Sequence, residues 1–530
     1  MPAPESLPEL RDKLRQYYSS MHSSMAEYKA LYYQDFDDLL DLPDKVEIHK
    51  SSTAAQLIDT LRDQLHIEIP EVEFIAHADT IKAGEHRAMM ERWGLHMLQE
   101  MAYHGTVSPF MQAATDLLWL GAACVKYVLV PDRVVDKPVP FTKTAQRRWE
   151  TEQGELWPFL VKPLDPMTVL PEPGLEPTYF LEIQHRYAFD VMNKYPAWAD
   201  PFHKVNVKGA IVEWLEYWDK DSYIIEADGD RIKDKINYYG KAPYCWSYSG
   251  MGRINDDGDP DKLAKGFLTD IAGEIKQEVI LITIQSVAHQ YQALPVLLTS
   301  EDETAMAKKM QKGPGQVLHH RPGEEPKWLV HPPPDQRAME LLNRVTANIY
   351  RRVGQALSGR PSGVDAGIHQ ALLIGQADKV LGPVRTSLNK MASKVLNGLA
   401  QQIYIMDVPT SLRGKLGTSE QMTRGSDFKR QAFRVSFKAV DAEENDRRLL
   451  AGLSVLQARS NSNMPIISNK LFRDTFLKNV VPDPVAEEAT ILSEVIVGQV
   501  VQSGALAQMT MDEVLGAEKE EQVQGGIAEA

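Results

Sequence analysis

The stretch PDKLAKGFLTDIAGEIKQEVILITIQSVAHQYQ, residues 260–292, decides the fold that we predict for this chain. It predicts one continuous helix of about 33 residues. At a rise of 1.5 Å per residue, such a helix extends for roughly 50 Å. The mean helix of a globular protein has only about 11–12 residues, so this segment is the most unusual part of the sequence.

A compact insert follows the long helix at 295–334. Within it, TAMAKKMQK (304–312) predicts a helical piece, whereas VLHH (317–320) and KWLV (327–330) predict a hairpin-like pair of strands. A triple proline ends the insert because proline lacks the amide hydrogen that a continuing helix or strand would use. A second long helix is predicted to return over 335–357.

The loop LSGRPSGVDAG, 357–367, separates the returning helix from a third one, predicted over 368–405. Pro383 lies inside this third helix and is expected to kink it. Farther on, residues 431–440, QAFRVSFKAV, alternate apolar and polar side chains as a half-buried strand does. That strand is expected to join the β-rich part of the chain, and helices are predicted to follow it.

The residues before 260 divide into a helical part and a β-rich part. Residues 125–248 contain short aromatic and β-branched segments separated by Pro, Gly and Asp, which is typical of a small mixed β domain. One helix is predicted inside it, at 188–194. Apolar residues at spacings of three and four predict four earlier helices, at 9–33, about 51–66, 81–104 and 108–121.

Composition excludes several classes of protein. The 530 residues include 58 Lys and Arg against 73 Asp and Glu, giving a formal net charge of −15. A hydrophobic fraction of 43% and a charged fraction of 25% are those of an ordinary folded protein. An acidic chain of this kind does not coat nucleic acid by bulk charge, which requires clustered Lys and Arg.

Three features of the sequence indicate that the chain is neither exported nor inserted into a membrane. Its two cysteines, Cys124 and Cys245, provide neither a disulfide framework nor a CxxC metal site, which favours a reducing compartment. The N-terminus has no apolar core of the kind that a secretory signal needs. The longest apolar runs fall far short of the ~20 residues that span a bilayer.

Common catalytic signatures are missing, since the sequence has no GxxxxGK[ST], no GxGxxG after a strand, no HExxH and no GxSxG. The best metal-like pattern is His96, Glu100 and His104, whose spacing of four places all three on one helix face, and both residue types bind zinc. A polar helix face turned to solvent or to a neighbouring subunit is the favoured interpretation, and a metal-dependent hydrolase using these residues is a minor alternative.

Basic residues recur near the long helices and are candidates for contact with DNA phosphates. Arg337, Arg344 and Arg351 are spaced by seven and so form one stripe on the returning helix. For any single arginine, a solvated position or pairing with a neighbouring subunit or with acidic residues such as Glu274 and Glu278 on the neighbouring helix is the favoured interpretation. The other candidates are Lys308, Lys309 and Lys312 in the insert, Arg352 on the helix and Arg360 in the loop.

The order of these parts resembles the portal protein, or head-to-tail connector, of tailed bacteriophages, especially the podovirus type. The resemblance covers about residues 10–500. It rests on SPFMQAATDLLWLGAACVKYVLVPD (108–132), on the 260–292 helix and on FRVSFKAVDAEENDRRLLAGLSVLQARS (433–460). It implies a mixed, mainly helical fold with a β-rich wing domain.

By this resemblance, each part of the chain takes the name of a portal element. The implied parts are an N-terminal helical part of the wing (1–107), the β-rich wing (108–259), the first stem helix (260–294), the clip (295–334), the second stem helix (335–357), the tunnel loop with the long kinked helix (358–405), a return to the wing with a strand (406–440), a helical crown (441–514) and a disordered tail (515–530).

The resemblance implies a non-catalytic subunit of a ring of about twelve copies at one capsid vertex, assembled in the host cytoplasm and retained in the virion. Double-stranded DNA would pass through the ring, with Gly359, Gly363 and Gly367 giving the tunnel loop its freedom. Further implied partners are the terminase large subunit, a tail adaptor, and the major capsid and scaffolding proteins. No cofactor and no metal are expected. Another virion structural protein, such as a head-tail adaptor, is the principal alternative.

Overall fold

The fold was analysed in a computed structural model of the chain. All described residues belong to one compact unit, Met1–Lys438. The helices predicted after residue 440 and the tail at 515–530 lie outside the described residues. The structure describes residues 4, 6–40, 47–65, 67, 70–75, 81–135, 142–198, 200, 202–253, 259–293, 296–299, 317–319, 327–329, 336–353, 367–412, 421–429 and 432–437.

Helices form the larger part of the described chain, and they surround several small sheets. The predicted mixed, mainly helical fold class is therefore confirmed at this level. The α-helices of the described residues are α1 Leu7–Tyr17, α2 Ser19–Tyr33, α3 Thr53–Asp63, α4 Ile81–His104, α5 Pro109–Trp119, α6 Lys143–Glu155, α7 Ala188–Lys194, α8 Pro260–Leu263, α9 Phe267–Ala293, α10 Gln336–Val353 and α11 Gly367–Met406.

The strands are short and antiparallel in most pairings. They are β1 Pro70–Phe74, β2 Ala122–Leu129, β3 Phe159–Leu164, β4 Val169–Pro171, β5 Phe180–Tyr187, β6 Ile211–Trp218, β7 Ser222–Ala227, β8 Asp230–Ile236, β9 Tyr244–Tyr248, β10 Val296–Thr299, β11 Val317–His319, β12 Lys327–Leu329, β13 Thr410–Leu412, β14 Gln421–Thr423 and β15 Phe433–Phe437.

The predicted β domain consists of two sheets. One has three strands in the order β3-β2-β9, and the other has five in the order β4-β5-β6-β7-β8. Residues of α5 lead directly into the central strand of the smaller sheet, as predicted. The inward side chains of both sheets share one large apolar core with the N-terminal helices and α11. A second, smaller core around Trp214 lies beneath α7.

A buried ion triad links the two sheets. Lys126 of β2 places its Nζ 2.7 Å from carboxylate oxygens of both Glu182 and Glu216, which lie opposite each other on β5 and β6. The phenol of Tyr244 and the indole of Trp218 donate further hydrogen bonds of 2.7 Å to these carboxylates. Every charge in the triad therefore has a partner, which buried charges require.

The triad shifts the pKa values of two of its members, Glu182 and Lys126. Burial disfavours the charged form of Glu182, but the Lys126 ammonium and the hydrogen bonds outweigh burial and lower the pKa of that carboxyl. Burial likewise disfavours the charged form of Lys126, yet the Glu216 and Glu182 carboxylates raise the pKa of its ammonium. We conclude that Lys126 and Glu182 are ionised together at neutral pH, where each stabilises the charge of the other.

The late strand β15 pairs with β1, five residues against five in antiparallel register. The expectation that it joins the sheet of the β domain is wrong, because its other edge is occupied by α11. There, side chains four residues apart on the helix take the place of a neighbouring strand by bonding the backbone of β15. The helix residues are Asn389, Ser393 and Asn397, with distances of 2.8–2.9 Å to Phe437, Val435 and Phe433.

The first predicted helix, 9–33, is divided at Tyr18, whose backbone leaves helical geometry with φ −90° and ψ 5°. The Tyr18 side chain is buried, and its hydroxyl donates to the carbonyl of Glu172 in the β domain. The predicted helical pattern of buried side chains is present, but it belongs to two helices, α1 and α2, that meet at Tyr18.

The predicted helix over 260–292 is also divided, into α8 and α9. The interruption at Ala264 lies where the chain crosses the end of α5 at very close range. A Cβ on Gly266 would come within 2.6 Å of the carbonyl oxygens of Leu118 and Trp119, and one on Gly121 would meet the backbone of Ala264 at 2.4 Å. Because this crossing is a tertiary contact, local sequence pattern does not reveal it.

Candidate functional site

The two long helices around the insert pack against each other within one chain. Ile271, Ile275 and Val279 of α9 are buried, as are Val345 and Ile349 of α10, and all five belong to the main core. Their spacings of three and four place each set on one helix face. We call this pair, residues 267–293 and 336–353, the α9–α10 hairpin.

A buried carboxylate holds the hairpin to the body of the protein. Glu278 accepts a hydrogen bond of 3.1 Å from the Thr346 hydroxyl on α10 and one of 3.2 Å from the Ser51 hydroxyl. One turn farther along, the Thr283 hydroxyl accepts from the backbone of His49 at 3.0 Å. The expected pairing of Glu278 with the arginine stripe is therefore replaced by hydroxyl partners.

The hairpin changes from buried to exposed along its length. Among the α9 side chains whose burial the structure describes, Thr283 is the last that is fully buried, and His289 and Gln290 are exposed. On α10, burial begins only at Val345. Since α9 runs toward the insert and α10 returns from it, the exposed halves lie at the same end. The hairpin thus has a base in the core and a distal half beyond it.

Large apolar side chains remain exposed on the distal half. Met339 is 45% exposed, Leu341 is 40% exposed and Ile284 of α9 is 52% exposed. At 100° per residue, Met339 and Leu341 lie on opposite sides of the face that α10 turns to α9. The hairpin therefore carries an apolar side chain on each of its two edges, and such surface invites a partner.

The arginine stripe lies on the outer surface of α10. Arg337, Arg344 and Arg351 are all exposed. Helical periodicity places the stripe about 120° around the helix from the buried face formed by Val345 and Ile349. The stripe therefore lies on the side of the hairpin that faces away from α9.

The remaining basic and glycine candidates are only partly within the described residues. Arg352 lies in α10, and Gly367 is the first residue of α11. Pro383 lies inside α11 as predicted, and the kink itself stays a prediction. The candidates outside the described residues are Lys308, Lys309, Lys312, Gly359, Arg360 and Gly363, together with the helical piece at 304–312.

Within the insert, the structure describes three short strands, β10, β11 and β12. They form one sheet in the order β11-β10-β12, in which β10 pairs parallel to β11 and antiparallel to β12. The predicted direct pairing of 317–320 with 327–330 is wrong, because β10 lies between them. Alternation alone identifies strands but does not say which strand is the neighbour.

His96, Glu100 and His104 on α4, the residues with metal-like spacing, have the geometry of an ordinary helix surface. Glu100 lies 3.0 Å from His104 Nε2 but 3.8 Å from His96 Nδ1, which exceeds a hydrogen bond. The His104 ring stacks on Trp157 with centroids 5.0 Å apart. Among the residues that the structure describes, no group of three or more His, Cys, Asp or Glu is arranged to hold a metal ion.

Sequence reasoning missed the role of Glu278, although a signal was present. Glu278 falls in the buried phase set by Ile271, Ile275 and Val279, where a carboxylate needs partners. Its hydroxyl partner Ser51 is 227 residues away, and no local pattern connects the two.

Within the part of the chain described above, no helix has both the length and the apolar character that crossing a membrane requires. No protein-family model and no curated protein matches the chain. What the site does must therefore be inferred from its own geometry and from the sequence pattern.

Proposed function

We propose that this chain is the portal subunit of a tailed bacteriophage. In this proposal about twelve copies form a ring at one capsid vertex, and double-stranded DNA passes through the ring during packaging and ejection. The subunit supplies a conduit and docking surfaces, and it performs no catalysis.

The α9–α10 hairpin is the single observation that carries the proposal. Its base is tied into the core through Glu278 and its apolar face, whereas its distal half is exposed and bears the insert. Long helices that leave the body of a subunit side by side are suited to wall a cylinder.

Ring closure follows from the two apolar edges of the hairpin. In a cyclic assembly one edge of each subunit meets the opposite edge of the next, so that every interface is of the head-to-tail type. Met339 and Leu341 lie on opposite sides of α10 and would both be covered in such a ring. Burial of this apolar area would contribute to the stability of the assembly.

The charge distribution suits passage of DNA without tight binding. Twelve copies of a chain with net charge −15 carry a formal charge of about −180, which disfavours a firm grip on phosphates. The stripe of Arg337, Arg344 and Arg351, repeated by rotation, provides a limited number of phosphate contacts that carry no base information. Such contacts centre a duplex and still release it.

The remaining partners follow from the position of each part. The insert between α9 and α10 is the proposed clip, which would meet the terminase large subunit during packaging and the tail adaptor afterwards. The two-sheet β domain is the proposed wing, which would face the major capsid and scaffolding proteins. The mature location would then be the portal vertex of the virion.

Mass photometry of the purified full-length chain tests the proposal. A single chain has a mass of 59.6 kDa, and the proposal expects a dominant species of about twelve times that mass. Monomers alone over a wide range of protein and salt concentration would contradict it. A dimer of defined mass would instead favour another kind of protein.

A further inference from the structure

A cavity of about 580 Å³ lies away from the hairpin, between α2, the turn joining α4 to α5, α5 itself and β3. Tyr33, Val107 and Leu160 line it and are themselves exposed, so the cavity is open to solvent. Its volume falls in the range of pockets that bind small organic groups. Neither the sequence patterns nor the proposed function accounts for it.

Aromatic rings form two walls of the cavity. On one side, Tyr33 meets Trp119 edge to face with centroids 5.6 Å apart. On the other side, Trp157 lies between His104 at 5.0 Å and Phe159 at 5.2 Å. Such walls accept the apolar stem of a ligand and attract a cation through the faces of the rings.

A carboxylate with an unused oxygen lies in the lining. Asp116 is only 4% exposed, and its Oδ1 accepts hydrogen bonds from Gln112 Nε2 at 2.9 Å and from Trp119 Nε1 at 3.0 Å. Its Oδ2 receives no donor from the described residues. The Asp116 carboxylate therefore keeps the capacity to accept a further hydrogen bond at Oδ2.

Burial also changes the ionisation of Asp116. Burial raises the pKa of the carboxyl to about 7, although the hydrogen bonds from Trp119 and Gln112 oppose the rise. Lys29, whose charge also opposes the rise, is engaged in an ion pair with Asp165. The charged and titratable groups that line the cavity are Lys29, Tyr33, His104, Asp116, Arg133, Lys162 and Asp165.

We propose that this cavity binds an organic ammonium or guanidinium group carried on a short apolar stem. The cation donates to Asp116 Oδ2, and the stem lies between the walls formed by Trp119 and Trp157. A charge-assisted hydrogen bond and cation–π attraction act together at such a site. The inference does not depend on the proposed portal function.

The same chemistry can come from two sources, a free amine or a Lys or Arg side chain presented by a partner protein. Titrations with agmatine, with benzylamine and with the tripeptide acetyl-Gly-Arg-Gly-amide separate them, because the tripeptide offers its guanidinium only on a peptide backbone. Tryptophan fluorescence and ligand-observed NMR report binding to the full-length protein. Benzyl alcohol serves as the uncharged probe and is expected to bind far more weakly than benzylamine.

Asp116→Asn is the decisive variant, because an amide keeps an oxygen for Gln112 and Trp119 but removes the charge. It is expected to weaken agmatine binding at least about tenfold. Asp190→Asn removes the same charge from an exposed position outside the cavity and is expected to leave binding unchanged. Trp157→Ala provides a second test, since it removes one wall while leaving the carboxylate in place.

Binding of agmatine to the unsubstituted protein should also tighten as the pH rises through about 7, because the carboxyl loses its proton there and guanidinium stays charged. Preferential binding of the free amines or of the tripeptide assigns the source. Absence of binding by all three cations at millimolar concentration would overturn the inference. Equal binding to the Asp116→Asn variant, shown to be folded by its thermal transition, would overturn it as well.

Discussion

The Thr346 hydroxyl donates a hydrogen bond of 3.1 Å to the Glu278 carboxylate across the interface of α9 and α10. Glu278 is 4% exposed, so this bond forms in an environment where a charged acceptor without donors is costly. The Ser51 hydroxyl supplies its second donor. One buried carboxylate thus connects the N-terminal segment, the outgoing helix and the returning helix.

Thr346→Val should therefore reduce stability, because valine keeps the shape of threonine but removes the donor. We expect a loss of about 1–3 kcal/mol in the free energy of unfolding, the range for hydrogen bonds to charged groups. Chemical denaturation measures the loss. Thr386→Val, on an exposed face of α11, is the matched control and should change stability by less than about 0.5 kcal/mol. Equal effects in both variants would remove the Glu278 bond from the account.

Lys126→Met should be much more damaging, because it leaves Glu182 and Glu216 buried without a counter-charge. The expected loss is about 3–5 kcal/mol at neutral pH. Lys162→Met is the control, since Lys162 is the direct cross-strand neighbour of Lys126 but is exposed. Denaturation of the two variants at the same pH should separate them clearly. Similar stabilities would mean that the triad contributes little.

The loss of stability in the Lys126→Met variant, relative to the unsubstituted protein, should become smaller as the pH falls. In the unsubstituted protein the pKa of Glu182 is lowered below its usual 4.5, so the ionised group stabilises the fold above that value and less as the pH falls through the lowered one. Without Lys126, the strongest influence that lowers the pKa of Glu182 is lost, and burial then favours the protonated carboxyl. Denaturation series from neutral pH toward about pH 5 measure the trend. A deficit that is independent of pH would contradict it.

Leu341→Asp should weaken assembly without unfolding the subunit. The side chain is exposed in the single chain, so a charge costs little there, but in the proposed ring it would be buried without a partner. We expect mass photometry to record a shift from rings to smaller species. Leu175→Asp is the control, because Leu175 is exposed on a loop of the β domain. Unchanged rings with Leu341→Asp would place the interface elsewhere.

Arg351→Glu should impair packaging or retention of DNA while leaving rings intact. Reversing one charge of the stripe in every copy introduces repulsion between the channel surface and phosphates. The amount of DNA in assembled particles is the measurement. Arg148→Glu, at an exposed position on α6, gives the same change of charge away from the hairpin. Normal DNA content in the Arg351→Glu particles would remove the stripe from the mechanism.

Much of the fold could be predicted wherever a long periodic pattern decides it. The helix predicted over 81–104 has those bounds, and so does the short helix at 188–194. The alternation of Phe433, Val435 and Phe437 gave a strand whose side chains are buried as expected. In these segments local periodicity and tertiary burial agree, so the pattern suffices.

The errors share one physical cause, which is contact between residues distant in sequence. The division at Ala264 depends on the crossing over Gly121 and α5, and the order of the insert strands depends on β10 lying between the other two. The cavity at Asp116 was not predicted at all, because its walls come from α2, α5 and β3. Hydrophobic periodicity describes one helix or strand at a time, so it does not predict contacts between elements that are distant in sequence.

The most direct test of the central claim is a set of projection images of the purified full-length protein. The account predicts end-on views of a ring with about twelvefold symmetry and an open axial hole. The side views should carry a narrow extension, where the α9–α10 hairpins surround that hole. Images of separate compact particles with no hole, at concentrations where mass photometry gives a single species, would contradict the account.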